Sequence, residues 1–163
     1  MNDEYLKGEA IHMLAMTQDK LEIFLEKEFP QIAPDIRIHH LDESGITVDM
    51  LAASRHLRPG NTVSGPTLFT LADVAFYLLI LSRIGPEALT VTTGAHINFM
   101  RKPEPGTLRA YSRILKLGRS LVVGDVEICS PDDTARARPF AHASLTYSIP
   151  PGSSQPSSGK NVS

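Results

Sequence analysis

A chain of 163 residues, 42% of them apolar and 21% charged, is long enough for one domain with a sizeable core. Its formal net charge of −2 argues against a protein built to coat nucleic acid or an anionic membrane. Cys129 is the lone cysteine, which excludes an internal disulfide and a thiolate metal site.

The chain opens on MNDEYLKGEA, acidic and without an apolar core, so no secretory signal is read there and a cytoplasmic location is expected. Residues 1–34 read as an N-terminal helical extension of one or two helices. Leu6, Ala10, Met13, Leu14, Leu21, Phe24 and Leu25 recur at near-helical spacing, and Pro30 and Pro34 end the pattern. Residues 35–149 form the main body. Residues 150–163, PPGSSQPSSGKNVS, are expected to be a flexible tail.

Two short strands open the body, 36–41 and 46–53, joined across Asp42-Glu43-Ser44-Gly45, a turn composition. After the linker RHLRPGN comes one long helix over 67–83, which Gly85-Pro86 stops. Four alternating segments follow at 88–100, 107–117, 120–130 and 135–148. In the third, Val122, Gly124, Val126 and Ile128 face one way and Asp125 and Glu127 the other. The expected class is α+β, with a six-stranded, largely antiparallel sheet wrapped around one central helix. That helix is apolar on nearly every side and needs cover all round. Its longest unbroken apolar run, Val74–Leu81, is eight residues, short of the roughly 20 that span a membrane.

Within "TVSGPTLFTLADVAFYLLIL", Asp73 sits inside the apolar helix. Phe69, Thr70, Phe76 and Tyr77 lie three or four residues away and none is cationic, so no intrahelical ion pair satisfies the carboxylate. A hydrogen bond from Thr70 or Tyr77 would make Asp73 structural; otherwise it is a general base or nucleophile. At the start of the helix, Ser64 suits the N-cap, Gly65 keeps a free N–H, and Pro66 suits the first turn. Ser64-Gly65-Pro66 is therefore either a good helix start or a cradle for an oxyanion.

Gly65 and Asp73 are eight residues apart, about 12 Å along a helix. One reacting carbonyl must lie within roughly 3 Å of both attacker and oxyanion donor, so one helix cannot supply both. Joint action requires two helices, most simply from a two-fold dimer. Charge adds a further clue. Residues 1–50 hold eleven Asp/Glu against four Lys/Arg, whereas residues 101–119 hold six Lys/Arg against Glu104 alone. That basic segment suits either a small phosphorylated ligand or a solvated strand face.

Taken in order, Ser64-Gly65-Pro66, Leu71-Ala72-Asp73, Val91-Thr92-Thr93, Ile97-Asn98-Phe99-Met100-Arg101-Lys102-Pro103 and Gly118-Arg119-Ser120-Leu121 resemble the hotdog-fold thioesterases. The likeness is to the PaaI-type branch related to 4-hydroxybenzoyl-CoA thioesterases, and it spans about residues 36–148. The resemblance implies hydrolysis of an acyl-CoA thioester, with an aryl or a short- or medium-chain acyl group, to free acid and CoA. It needs no cofactor and no metal. In it, Asp73 attacks the thioester or activates water, the Gly65 N–H polarises the carbonyl across the dimer interface, and Thr92 holds a hydroxyl near the attacking water. Ser64 and Asn61 are further substrate-binding candidates, and Phe69 and Tyr77, with Phe76 and Ile80, suggest an apolar pocket for the acyl group. Arg101, Lys102, Arg119 and Ser120 would meet the nucleotide end of CoA. The implied assembly is a homodimer, itself pairing into a dimer of dimers.

Two features depart from the family pattern. Its His-Gly-Gly turn is Ser64-Gly65-Pro66 here, which retains the N–H and loses the imidazole. Arg58 stands where related enzymes carry an Asn, and Asn61 lies nearby but out of register. The altered turn favours a rival reading, a non-catalytic acyl-CoA-binding hotdog protein, against which the retained Asp73 stands. Against a hotdog dehydratase, the sequence shows no Asp/His hydratase pair at the helix start. Among the histidines, His39 and His40 are expected on opposite strand faces, His56 in the linker before the helix, and His96 and His142 as surface or core hydrogen-bonders.

Overall fold

The computed structural model describes residues 14–152. Helix α1 (Gln18–Glu28) starts at Thr17, whose side chain accepts the Lys20 N–H, and buries Leu21 and Leu25. The proposed earlier turns around Leu6 and Ala10, and the tail beyond residue 152, lie outside the described residues. Strands β1 (Ile36–Leu41) and β2 (Ile46–Ala52) form a hairpin. Its turn is held by Asp42, whose carboxylate accepts the N–H groups of Ser44 and Gly45 and the Ser44 hydroxyl. Those bonds, that of the Ser44 hydroxyl foremost, and one with His40 hold the Asp42 carboxyl below the usual carboxylate range.

The linker is more ordered than its composition suggests. It folds as a two-stranded ribbon, β3 (Leu57–Arg58) with β4 (Thr62–Val63), whose turn places Asn61 at φ 60°. Helix α2 (Gly65–Ile84) follows, two residues longer than expected at its start and one at its end, and stops at Gly85, whose φ of 98° suits glycine. By length and composition α2 could cross a membrane, but most of it is buried inside the protein. It is the core helix.

Strands β5 (Val91–Phe99), β6 (Gly106–Leu117), β7 (Leu121–Cys129) and β8 (Ala141–Ser148) complete an antiparallel sheet in the order β1-β2-β6-β7-β8-β5. The last strand starts six residues later than its alternation suggested, because residues 131–140 are irregular. Val122, Gly124, Val126 and Ile128 are all buried and face α2, as the alternation predicts. Helix and sheet approach closely at Gly124. A Cβ there would lie 2.2 Å from Phe76 Cε2 and 2.4 Å from the Arg113 carbonyl oxygen.

On the sheet's outer face, Arg109 makes a two-pronged pair with Asp49, and Arg113 another with Asp125. Two of the six cations in the basic segment are thus spent on strand-to-strand ion pairs. His39 and His40 are both exposed, because a bulge after Ile38 breaks the alternation that predicted opposite faces. His39 contacts Arg109 and His40 pairs with Asp42 at 2.8 Å. His56 accepts the Ala53 N–H through Nδ1 and faces Asp35 at 3.5 Å, so it braces the linker. His96 is exposed on β5, and His142 pairs with Asp125 at 3.2 Å.

Candidate active site

The start of α2 is built as its sequence predicts. Ser64 caps it, its Oγ accepting the Thr67 N–H at 3.3 Å and lying 2.8 Å from the Thr67 hydroxyl. The Gly65 N–H donates to no described residue, one of the orphan donors every helix start carries. A Cβ on Gly65 would lie 3.3 Å from Phe99 Cζ, so the amide sits beside the C-terminal end of β5.

Asp73, two turns further along α2, is half-buried. Neither neighbour that sequence offered as a partner serves it. Thr70 donates to the Pro66 carbonyl at 3.0 Å and Tyr77 to the Ala88 carbonyl at 3.3 Å. The carboxylate is met from the sheet instead. Thr92 donates to Oδ1 at 2.7 Å and Tyr147 donates to the same oxygen at 2.5 Å. Oδ2 accepts from no described residue. One oxygen is anchored and the other is open.

Asp73 lies on the wall of a cavity of about 460 Å³ between α1, α2 and the ends of β5 and β8. Phe69 and Tyr77 line it as expected, with Leu25, Phe29 and Ile32 from the N-terminal segment opposite them. Phe29 meets the Tyr77 ring edge-on with centroids 5.6 Å apart. Phe76 and Ile80, expected on the same wall, are fully buried in the core beneath the sheet. The α2 helix is apolar all round, so its sequence could not say which side faced the cavity. Burial, and secondarily Glu28, pushes the Tyr77 phenol up to about 12. The Tyr147 phenol is pushed well above the ordinary tyrosine range, first by burial and then by the Asp73 carboxylate. The Thr90 hydroxyl, also on the wall, is buried with no hydrogen-bond partner among the described residues.

The remaining candidates divide between two ends of the sheet. Arg101 and Lys102 are exposed beside an open groove of about 540 Å³ that Phe140 also lines, with the Arg101 guanidinium 5.7 Å from the Phe140 ring centre. This is the Gly65 end, since the Val63 N–H donates to the Pro103 carbonyl. Arg119 and Ser120 sit on the turn before β7, where the Ile149 N–H donates to the Ser120 carbonyl. That is the Thr92 end, because Ser148 pairs with both Val91 and Leu121. Asn61 lies exposed on the ribbon turn. Within one chain these groups do not converge. Tyr147 was missed by sequence reasoning, and only its alternation into the core on β8 could have pointed to it.

A long helix seated in a six-stranded antiparallel sheet, with an acid on that helix at the mouth of an apolar cavity, defines a hotdog-fold protein. The family model of the thioesterase superfamily matches residues 60–137. The structure aligns with that of a proposed thioesterase from Silicibacter sp. TM1040 at 47% identity and a TM-score of 0.78, over 86% of this chain and 96% of that one. Zebrafish thioesterase superfamily member 2 shares the fold at 16% identity and a TM-score of 0.72, over 83% of this chain and 99% of that one. So does a hypothetical thioesterase of Streptococcus pneumoniae TIGR4, solved with coenzyme A, at 20% identity and a TM-score of 0.66, over 80% and 96%. No curated protein matches the sequence. The chain belongs to the hotdog-fold thioesterase superfamily.

Proposed function

We propose that the protein is a homodimeric acyl-CoA thioesterase in which Asp73 of one subunit and the Gly65 amide of the other act on one thioester carbonyl. The observation that carries the reading is the half-anchored carboxylate on the cavity wall, with Oδ2 left open. As general base, Oδ2 takes a proton from water while the water oxygen bonds to the thioester carbon. The carbonyl electrons move onto oxygen beside the Gly65 N–H, then return as the C–S bond breaks and the thiolate takes the proton. As nucleophile, Oδ2 bonds to the carbon itself, CoA leaves, and water cleaves the resulting anhydride.

The edge strand supports the dimer. β5 has a sheet neighbour on one side only, and Val91, Phe99 and Met100 along or beside it are about half exposed. A nine-residue edge with exposed apolar groups is a template for another strand. Antiparallel pairing of two copies about Ala95 would set Thr92 opposite Asn98 of the partner subunit. Gly65 packs on Phe99 and Asp73 bonds Thr92, so that register carries one subunit's amide toward the other's acid. It also brings Arg101 and Lys102 of one chain to the Arg119–Ser120 end of the other, beside one nucleotide.

The test is a panel of aryl and alkyl acyl-CoAs with thiol release followed by a thiol reagent. The expected result is turnover that falls roughly 100- to 10,000-fold in Asp73→Asn. Mixing Gly65→Pro with Asp73→Ala chains should restore one site of the two in each hybrid dimer, so about a quarter of all sites when subunits exchange statistically. Stoichiometric binding without thiol release would move the protein to the non-catalytic class. Hybrids that form and stay inactive would end the shared-site geometry.

A further inference from the structure

We propose that Tyr147 is a positioning residue that, together with Thr92, pins one oxygen of Asp73 and so selects the other as the oxygen that reacts. The proposal rests on the thioesterase reading above. Thr92 and Tyr147 are register partners in the β5–β8 ladder, so one cross-strand pair delivers both donors. The register slips between Thr92 and Gly94, the kind of irregularity that re-aims a side chain beside a site.

Each hydroxyl carries one proton. That of Thr92 goes to Oδ1 at 2.7 Å. The Tyr147 oxygen lies 2.5 Å from Oδ1 and 3.0 Å from the Asp73 carbonyl, so its proton belongs to the shorter contact. Oδ1 then accepts two hydrogen bonds and is a poor base, while Oδ2 keeps its lone pairs. The anchor is stiff. Tyr147 is 2% exposed, its ring meets Phe76 edge-on at 5.4 Å, and Tyr77 lies 6.3 Å away. With ionisation of its phenol pushed far upward, the hydroxyl stays a donor at any working pH.

The test is steady-state hydrolysis of an acyl-CoA by wild type, Tyr147→Phe, Thr92→Val, Asp73→Asn and the double variant Tyr147→Phe/Asp73→Asn. Tyr147→Phe should lower kcat roughly 10- to 100-fold with KM within about threefold, as expected when a reacting atom loses its alignment. In the Asp73→Asn background the same change should cost less than about twofold, because nothing remains to be aligned. An equal loss in both backgrounds, or no loss in either, overturns the proposal. If Tyr147→Phe does not fold, 3-fluorotyrosine incorporation keeps the hydroxyl and alters its acidity. It should then move kcat about two- to fivefold, and an unchanged kcat overturns the proposal. Wild-type turnover that disappears in Asp73→Asn and is undiminished in Tyr147→Phe defeats the positioning role alone. Absence of turnover in wild type, or full turnover in Asp73→Asn, defeats the thioesterase reading and this role with it.

Discussion

Gly124→Ala adds one methyl group at a close contact between helix and sheet. The new Cβ would stand 2.2 Å and 2.7 Å from two carbons of the Phe76 ring and 2.4 Å from the Arg113 carbonyl oxygen. Non-bonded carbons rest at about 3.5–4.0 Å, so the ring must retreat by more than about 1 Å. It has no room, being fully buried with Tyr147 edge-on behind it at 5.4 Å. The carbonyl belongs to β6, which pairs with β7 on one side and β2 on the other. Overpacking of this kind costs about 1–3 kcal/mol, and two immovable neighbours point to the upper end. At roughly 2–4 °C per kcal/mol for a chain of this size, Tm should fall by about 6–12 °C. Gly94→Ala is the control, since its Cβ would meet nothing nearer than Thr146 Cβ at 3.8 Å. It should shift Tm by less than about 2 °C. Circular dichroism melts of the three proteins decide the matter. A Gly124→Ala melt within about 2 °C of wild type would refute the close-approach argument.

Three further outcomes are expected. Thr90→Val removes a buried hydroxyl with no partner among the described residues and keeps its shape, so urea melts should show about 1 kcal/mol of added stability; a loss of that size would mean the hydroxyl is satisfied. Cys129 is fully buried, and burial, with Glu127 secondary, pushes its thiol up to about 11. At pH 8 a disulfide reagent should therefore modify it at least about 100-fold more slowly than free cysteine, which absorbance of the released thiolate measures. The Tyr77 phenol, ordinarily near 10, titrates near 12 in the fold. The folded state thus favours the protonated form, and its contribution is complete below pH 10 and disappears as pH rises from 10 to 12. Denaturant titrations at pH 8, 10 and 12 should show wild type losing about 1–2 kcal/mol more than Tyr77→Phe across that upper window.

Much of this architecture is written in local pattern. Alternation at Val122, Gly124, Val126 and Ile128, the Ser64 cap and the stop at Gly85 each depend on neighbours within a few residues. They predicted the sheet face and the extent of α2 closely. A helix apolar on every side requires cover on every side, so the wrapped arrangement followed from its composition. Asp73 was conspicuous as a carboxylate with no cation a turn away.

What satisfies Asp73 was beyond sequence, because its donors are 19 and 74 residues distant and meet it only when β5 and β8 pair. The same uniform apolarity that revealed α2 concealed which of its aromatic side chains face the cavity. Tyr77 meets Phe29 there while Phe76, one residue earlier, is sealed in the core. The partners within the basic segment were hidden for a related reason. Charge density is visible in one dimension, whereas the pairing of Arg109 with Asp49 and Arg113 with Asp125 depends on register between strands. Composition and periodicity settle which elements form, since those depend on short-range preference and burial. Only the packed structure decides which oxygen of Asp73 is held and which is open, since that depends on contacts between distant strands.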